Sequence, residues 1–310
     1  MQHATHAFTG IPSFARAPFT LPHTVEADAA VLGVPYDEGS GFRPGTRFGP
    51  RAIRESSLRY AFFGLGPGKR GYWDLDLGRR RLTQLRLVDC GDVDIVALDL
   101  EGNFQRITDA VATVTSQGAT PIVLGGDHSI TFPAVRGLQH GGPLSLVHID
   151  AHLDYRDDVG GIRLGHGCAI RRIAELPFVQ EIVSLGIRGL RADEDDLEAA
   201  RARGNRVIPA AAIRRAGVAA ALAEVPGSER IYVTLDIDAL DPGVAPGTGT
   251  PDPGGLSYLE IRDLLQGIAR KGRVVGFDLV EVNPWLDPTG ITPLTAAQLI
   301  VELLASVFDP

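Results

Sequence analysis

The stretch LSLVHIDAHLD, Leu144 to Asp154, sets His148, Asp150, His152 and Asp154 at every second position behind an apolar run. Side chains of extended backbone alternate between faces, so these four share one face for as long as the strand continues. Carboxylates and imidazoles crowded at the end of a buried strand repel one another and lose solvation unless a cation neutralises them. The pattern therefore marks a candidate metal site. Two more stretches carry the same residue types. GGDHS, Gly125 to Ser129, follows the apolar run Pro121 to Leu124, and its two glycines permit a tight turn that sets Asp127 and His128 over a sheet edge. TLDIDALDP, Thr234 to Pro242, places Asp236 and Asp238 in alternation at the end of another apolar run.

A lone DxD or a lone histidine carries little information; three strand ends bearing such groups carry a good deal. The candidate ligands are His128, Asp150, His152, Asp154, Asp236 and Asp238. Their four carboxylates balance two divalent cations, so a two-metal site is expected rather than a single ion. Oxygen-rich ligation with neutral imidazoles and no thiolate suits Mn2+, with cobalt, nickel and zinc chemically possible. His148 lies deeper on the face and reads as a core or supporting residue. Asp127 reads as support for an imidazole or a loop amide.

These motifs need parallel strands to hold them. Strands are expected at Ala29 to Val34, Leu85 to Asp89, Pro121 to Leu124, Leu144 onward, Glu181 to Leu185, Arg206 to Ile208, Ile231 to Ile237 and Arg273 to Val280. Helices are expected from near Pro50, over Asn103 to Gln117, after Ser129, and over Glu194 to Arg203, Ser257 to Arg270 and Thr295 to Phe308. The alternation implies an α/β fold with a mainly parallel sheet and helices on both faces, in which ligands collect at the carboxyl ends of strands. One domain spanning 1–310 is expected, with 1–28 packing on it as an N-terminal extension.

The chain has 310 residues and a formal net charge of -8, which gives no general attraction for nucleic acid. The basic group Arg79 to Arg81 reads as a solvated turn, and Arg43, Arg47, Arg51 and Arg54 as partners of the protein's own carboxylates. Two cysteines, Cys90 and Cys168, make a disulfide framework improbable. With no signal-like start and no apolar stretch approaching bilayer length, a cytoplasmic protein with no membrane partner is expected.

GGDHS, DAHLD and TLDIDALDP resemble the three signatures of the ureohydrolases, the family that includes arginase and agmatinase. GIPSFARAP (Gly10 to Pro18), GVPYDEG with FRPGTRFGPRAIR (between Gly33 and Arg54) and DCGDV (Asp89 to Val93) are similar to the agmatinase branch, so the resemblance spans nearly the whole chain. It implies a three-layer α/β/α fold and two Mn2+ ions. Asp150 and Asp236 would bridge the ions, His128 and Asp154 would complete one site, and His152 and Asp238 the other. It also implies roles in catalysis for Asp154, which would accept a hydrogen bond from the attacking water, for His166, which would relay protons to the departing amine, and for Glu281, which would grip the guanidinium. A homotrimer or homohexamer is implied as well.

The expected reaction is hydrolysis of a linear guanidino compound to urea and an amine, with agmatine the leading substrate. Other guanidino acids, guanidine or a formimino compound are alternatives on the same fold. Departures from the family pattern lie at the pocket: Cys168 and Ala169 follow the HG of His166, the loop Tyr155 to Leu164 is unusual, and Gly189 stands where arginases tend to carry Asp. Cys168 reads as a small wall residue. A non-catalytic metal-binding subunit and a binuclear phosphoesterase are the rivals from other classes.

Overall fold

Apolar hexamers such as AAVLGV and LSLVHI form the strands that the sequence reading assigns them, and all six residues of each are buried. The structure is a computed structural model that describes residues 6–61, 65 and 71–310. The first five residues of the expected extension lie outside that set. The first elements are β1 (Ala29–Val34), α1 (Gly49–Tyr60), β2 (Tyr72–Asp74), β3 (Arg79–Arg81), β4 (Leu87–Asp92) and α2 (Leu100–Ser116). Next come β5 (Thr120–Gly125), α3 (Thr131–Arg136), β6 (Leu144–Ile149), α4 (Ala169–Ala174), β7 (Val179–Ile187), α5 (Glu194–Ala202) and β8 (Arg206–Pro209). The chain closes with α6 (Ala210–Ala216), α7 (Val218–Glu224), β9 (Ser228–Asp236), α8 (Tyr258–Ala269), β10 (Gly272–Val280) and α9 (Ile291–Phe308).

Among the described residues, eight strands pair in parallel in the order β4-β1-β5-β10-β9-β6-β7-β8. Alternate side chains of each strand enter opposite cores. Ile231, Val233 and Leu235 of β9 join Ile53 of α1, Leu264 of α8 and Leu299 of α9, whereas Tyr232 joins Phe104 of α2, Val135 of α3 and Ile173 of α4. Two apolar layers, one on each face of the sheet, make the three-layer α/β/α architecture.

Several expectations are revised. The strand carrying the organising motif ends at Ile149, so of the four alternating residues only His148 is in β6. Asp236 closes β9, but Asp238 lies in a 3-10 turn, Ile237–Ala239. The basic group Arg79 to Arg81 is not a solvated turn. It is β3, paired antiparallel with β2, and Arg81 is 4% exposed with its guanidinium donating to the Ala305 and Asp309 carbonyls. The sequence reading misses β2, α4, α6 and α7, which are three to seven residues long and too short to show a period. It starts α9 late because of Pro293, which the first helical turn tolerates. α9 is also the exception to the expectation about bilayer length: its 18 residues have a mean hydropathy of 1.7. That window is 67% buried within the fold, so packing against α1 and α8 accounts for its apolarity.

Candidate functional site

Four neighbouring strands in the middle of the sheet, β5-β10-β9-β6, bring the motifs together at their carboxyl ends. His128 follows β5, Glu281 follows β10, Asp236 and Asp238 end and follow β9, and Asp150, His152 and Asp154 follow β6. Gly125 and Gly126 serve this convergence by their lack of a side chain rather than by a turn. Neither has positive φ, but a Cβ on Gly126 would lie 1.8 Å from the Tyr36 carbonyl oxygen and one on Gly125 2.5 Å from Val280. Close approach of β5 to its neighbours is what excludes any larger residue there.

All six expected ligands meet in two overlapping groups. The His128 Nδ1 lies 2.9 Å from Asp150 Oδ2, 3.2 Å from Asp154 Oδ2 and 3.3 Å from Asp236 Oδ2. The His152 Nδ1 lies 3.1 Å from Asp238 Oδ2 and 3.5 Å from Asp150 Oδ1. Asp150 therefore offers one oxygen to each group. His128, Asp150, Asp236 and Asp238 are almost wholly buried.

Supporting contacts aim these donors. The Nε2 of His128 is 2.9 Å from Thr234 Oγ1, and that of His152 is 2.8 Å from Asp252 Oδ2. His148 sits with Nε2 2.8 Å from Asp150 Oδ2 and Nδ1 3.0 Å from Ser184 Oγ, as a residue that orients the Asp150 carboxylate. Asp127 accepts from the Gly39 amide at 2.7 Å and from the Ser129 amide and hydroxyl, holding a loop amide as expected.

The charge balance of this cluster is incomplete. Burial and the repulsion of Asp238 and Asp150 push Asp236 well above the usual carboxylate range. Burial disfavours an imidazolium at His128, yet contact with Asp150, Asp154 and Asp236 outweighs it and holds the ring well above its ordinary pKa. At His152 burial is likewise outweighed by Asp238 and Asp150, and its pKa is pushed up to about 12. The His128 Nδ1 is buried with no hydrogen-bond partner although three carboxylate oxygens surround it, because none lies in line for an N–H bond. Lone pairs converging in this way on a common point fit a cation. Asp150, His152 and Asp238, like His128 and Asp150 with their neighbour His148, lie close enough to hold a metal ion. The donor set, imidazole nitrogen and carboxylate oxygen with no sulfur, fits hard to intermediate divalent ions.

Glu281 and Asp154 both take left-handed backbone, φ 63° and 48°. Such strain costs about 1–2 kcal/mol per non-glycine residue and concentrates where function fixes a side chain. The Oε1 of Glu281 accepts from the His128 amide at 3.0 Å and lies 3.0 Å from His166 Nδ1, while its Oε2 is buried without a partner. Burial disfavours a charged His166, but the Glu281 carboxylate outweighs this and raises the ring to about 9.

His152, Asp154, His166 and Asp236 open on a cavity of about 760 Å³, walled by residues from the stretches 38–42, 155–167 and 187–193. Cys168, expected as a wall residue, is fully buried behind the cavity lining, and burial raises its thiol, which argues against a nucleophile. Three of the four arginines expected to pair with the protein's own carboxylates do so, Arg54 with Asp89 and Asp92, Arg47 with Asp37 and Arg51 with Glu55, whereas Arg43 donates to the Thr248 and Gly249 carbonyls instead. Sequence reasoning misses Thr234 as the partner of the His128 ring, and it misses Asp252 and Arg191, both against the His152 ring. Thr234 stands two residues before Asp236 in β9, a spacing that could have flagged it. Asp252 is 100 positions from His152 in an irregular loop, where no periodicity reports contact.

The arginase family model matches residues 27–305. A mitochondrial guanidino acid hydrolase of Homo sapiens is 37% identical over 305 residues, covering 96% of this chain and 83% of that protein. A mitochondrial agmatinase of Gallus gallus is 36% identical over 284 residues, covering 89% and 80%. The solved structure of proclavaminate amidinohydrolase from Streptomyces clavuligerus superposes with a TM-score of 0.87 at 34% identity, covering 97% of this chain and 98% of that one.

Proposed function

This chain belongs to the arginase family, and we propose that it hydrolyses a linear guanidino compound to urea and an amine with two Mn2+ ions held by His128, Asp150, His152, Asp154, Asp236 and Asp238. The observation that carries this reading is the buried, partnerless Nδ1 of His128 among three carboxylate oxygens, together with the equally partnerless Oε2 of Glu281, whose Oε1 accepts from the His128 amide. When bound, the two ions supply an activated water and a charge balance for the four aspartates.

The rest of the chemistry belongs to side chains. A guanidinium is a delocalised, weakly electrophilic cation, so it needs a buried anion that fixes its plane. Glu281 supplies one: Oε1 is committed to the His128 amide and His166, and Oε2 is free to accept a guanidinium N–H. Asp154, at the same end of the sheet, accepts a hydrogen bond from the attacking water. His166, anchored by Nδ1 on Glu281 and facing the cavity, gives a proton to the leaving amine. The raised pKa of His166 supports that role because it keeps the ring protonated at neutral pH.

Agmatine and the guanidino acids share this reacting head and differ only in the tail, for which relatives of nearly equal identity carry opposite names. The test is urea release by Mn-loaded protein from agmatine, 4-guanidinobutyrate, 3-guanidinopropionate, arginine and guanidine. Turnover of at least one is expected; urea from none would overturn the reading.

A further inference from the structure

The cavity wall carries charges of both signs, and most are already engaged. Asp193 caps α5 by accepting from the Asp195 amide, and Asp196 lies 3.8 Å from the Arg156 guanidinium. Arg188 is consumed by the carbonyls of Gly186, Asp238, Ala239, Leu240 and Asp252. Glu38 is within electrostatic reach of Arg47. Arg191 differs: among the described residues its one hydrogen-bond-range contact is Nη2 to His152 Nε2, at 2.6 Å.

That contact is not a hydrogen bond once the His152 ring is assigned. Its Nε2 lies 2.8 Å from the Asp252 carboxylate, an acceptor only, so Nε2 carries the proton and donates it there. The assignment holds whether Nδ1 faces a metal or donates to Asp238. Arg191 and His152 therefore present donor to donor, and the guanidinium has no acceptor among the described residues. The loop that carries it is nonetheless anchored. The web of bonds to Arg188 anchors the loop, and Gly189, at φ 89°, packs its backbone against Asp252 so closely that a Cβ would fall 2.7 Å from the carboxylate.

Resting on the guanidino hydrolase reading, we propose that Arg191 receives a carboxylate on the substrate's tail, so that the enzyme acts on guanidino acids in preference to agmatine. A guanidinium that ends next to a metal-ligand imidazole repels a cationic amine and pairs bidentately with a carboxylate. Tail recognition and metal chemistry are then linked through one imidazole, since a carboxylate on Arg191 supplies the acceptor that His152 cannot.

The experiment compares wild type with R191A, R191K and R191D on 4-guanidinobutyrate, 3-guanidinopropionate and agmatine. Calorimetry of the product analogues 4-aminobutyrate and putrescine runs alongside on the Mn-loaded protein. Wild type is expected to favour the better acid over agmatine by at least about 10-fold in kcat/KM, as befits a hydrogen-bonded charge pair. R191A should raise KM for the acids about 10- to 100-fold with little change in kcat, R191K should restore part of it, and R191D should reverse the preference. Binding of 4-aminobutyrate, but not of putrescine, should weaken in R191A. A wild type that prefers agmatine, or an R191A that loses acid and agmatine activity alike, would overturn the proposal. If no guanidino compound yields urea, the functional reading falls, and the calorimetry still reports whether Arg191 binds a carboxylate.

Discussion

Two of the places where this molecule buries carboxylates are balanced differently. In the first, Arg54 of α1, 6% exposed, forks onto Asp89 of β4 through Nε at 2.8 Å and Nη2 at 2.9 Å. Its Nη1 reaches Asp92 at 2.5 Å and Nη2 also meets the Gly91 carbonyl. Asp89 takes further bonds from the Phe14 and Gly91 amides, and Gly33 leaves room for the whole knot. In the second, four aspartates share two imidazoles, and His128 Nδ1 and Glu281 Oε2 are left without partners. The same physics of buried charge thus produces a closed knot that tethers α1 and the N-terminal segment to the sheet, and an open cluster whose unpartnered atoms fit the proposed cations and substrate. Unsatisfied atoms, more than the number of charges, separate the functional cluster from the structural one.

The sharpest way to break this comparison is to delete one carboxylate from each. Asp150→Asn should reduce urea release by about 10³-fold or more, because the proposed metal centre would lose the carboxylate its two groups share. The metal-free variant should stay folded but melt somewhat below metal-free wild type, since burial of Asp150 is outweighed by the histidines around it, which hold its carboxylate well below the usual range and lose that partner. Urea assay and thermal melts of apo protein check both halves; an apo variant that unfolds would mean the open cluster is a structural element like the knot.

The knot should respond in the opposite sense. Arg54→Met leaves Asp89 buried and unpaired and should cost about 3–5 kcal/mol of stability, read from denaturant midpoints. Whatever protein remains folded should retain kcat within a few-fold of wild type. A stable Arg54→Met enzyme would show that the Phe14 and Gly91 amides alone suffice for Asp89.

How far the two clusters could be read in advance differs too. The convergence of the candidate ligands was legible because chemistry at a parallel sheet gathers at strand ends, and GGDHS, DAHLD and TLDID each end an apolar run. The pairing of Arg54 was legible as a residue type but not as a partner. The strand rule was right about location and wrong about mechanism: β6 stops at Ile149, and a loop with Asp154 in left-handed backbone carries the remaining ligands into place. Asp252 and Arg191 lay beyond reach, since they meet His152 from loops whose paths are set by tertiary contacts such as the Arg188 web. The hairpin of β2 and β3 was hidden for another reason: three residues per strand give no pattern, and the charge of Arg81 points outward by composition while its contacts lie inside.

A subtler way to sharpen the comparison uses pH. His166 borders the open cluster, and its pKa stands raised from 6.5 to about 9, the Glu281 carboxylate outweighing burial. A raised value means the protonated form persists up to that pH and is lost above it. If this proton goes to the leaving amine, kcat should fall as pH rises through about 9. His166→Asn should lose about 10²-fold in kcat near pH 8 and show no such alkaline limb. A limb that survives in the variant would assign the titration to another group. Arg54, closed in its knot, offers no comparable handle because its charge persists across this range.

The smallest effect makes the control for the largest claims. Arg51 lies one turn before Arg54 on α1 and pairs with Glu55 at 2.9 Å, but both side chains are exposed, 79% and 51%. An i,i+4 pair in water contributes about 0.3–0.5 kcal/mol, because solvent screens the attraction and two long side chains lose freedom to make it. Arg51→Ala should therefore shift the denaturant midpoint barely beyond error and leave urea release unchanged. Two arginines three residues apart on one helix would then differ about tenfold in what their loss costs, with burial and the number of committed acceptors as the cause. If Arg51→Ala destabilised the protein as much as Arg54→Met, the cost would belong to α1 itself, and the distinction between a closed knot and an open cluster would lose its energetic basis.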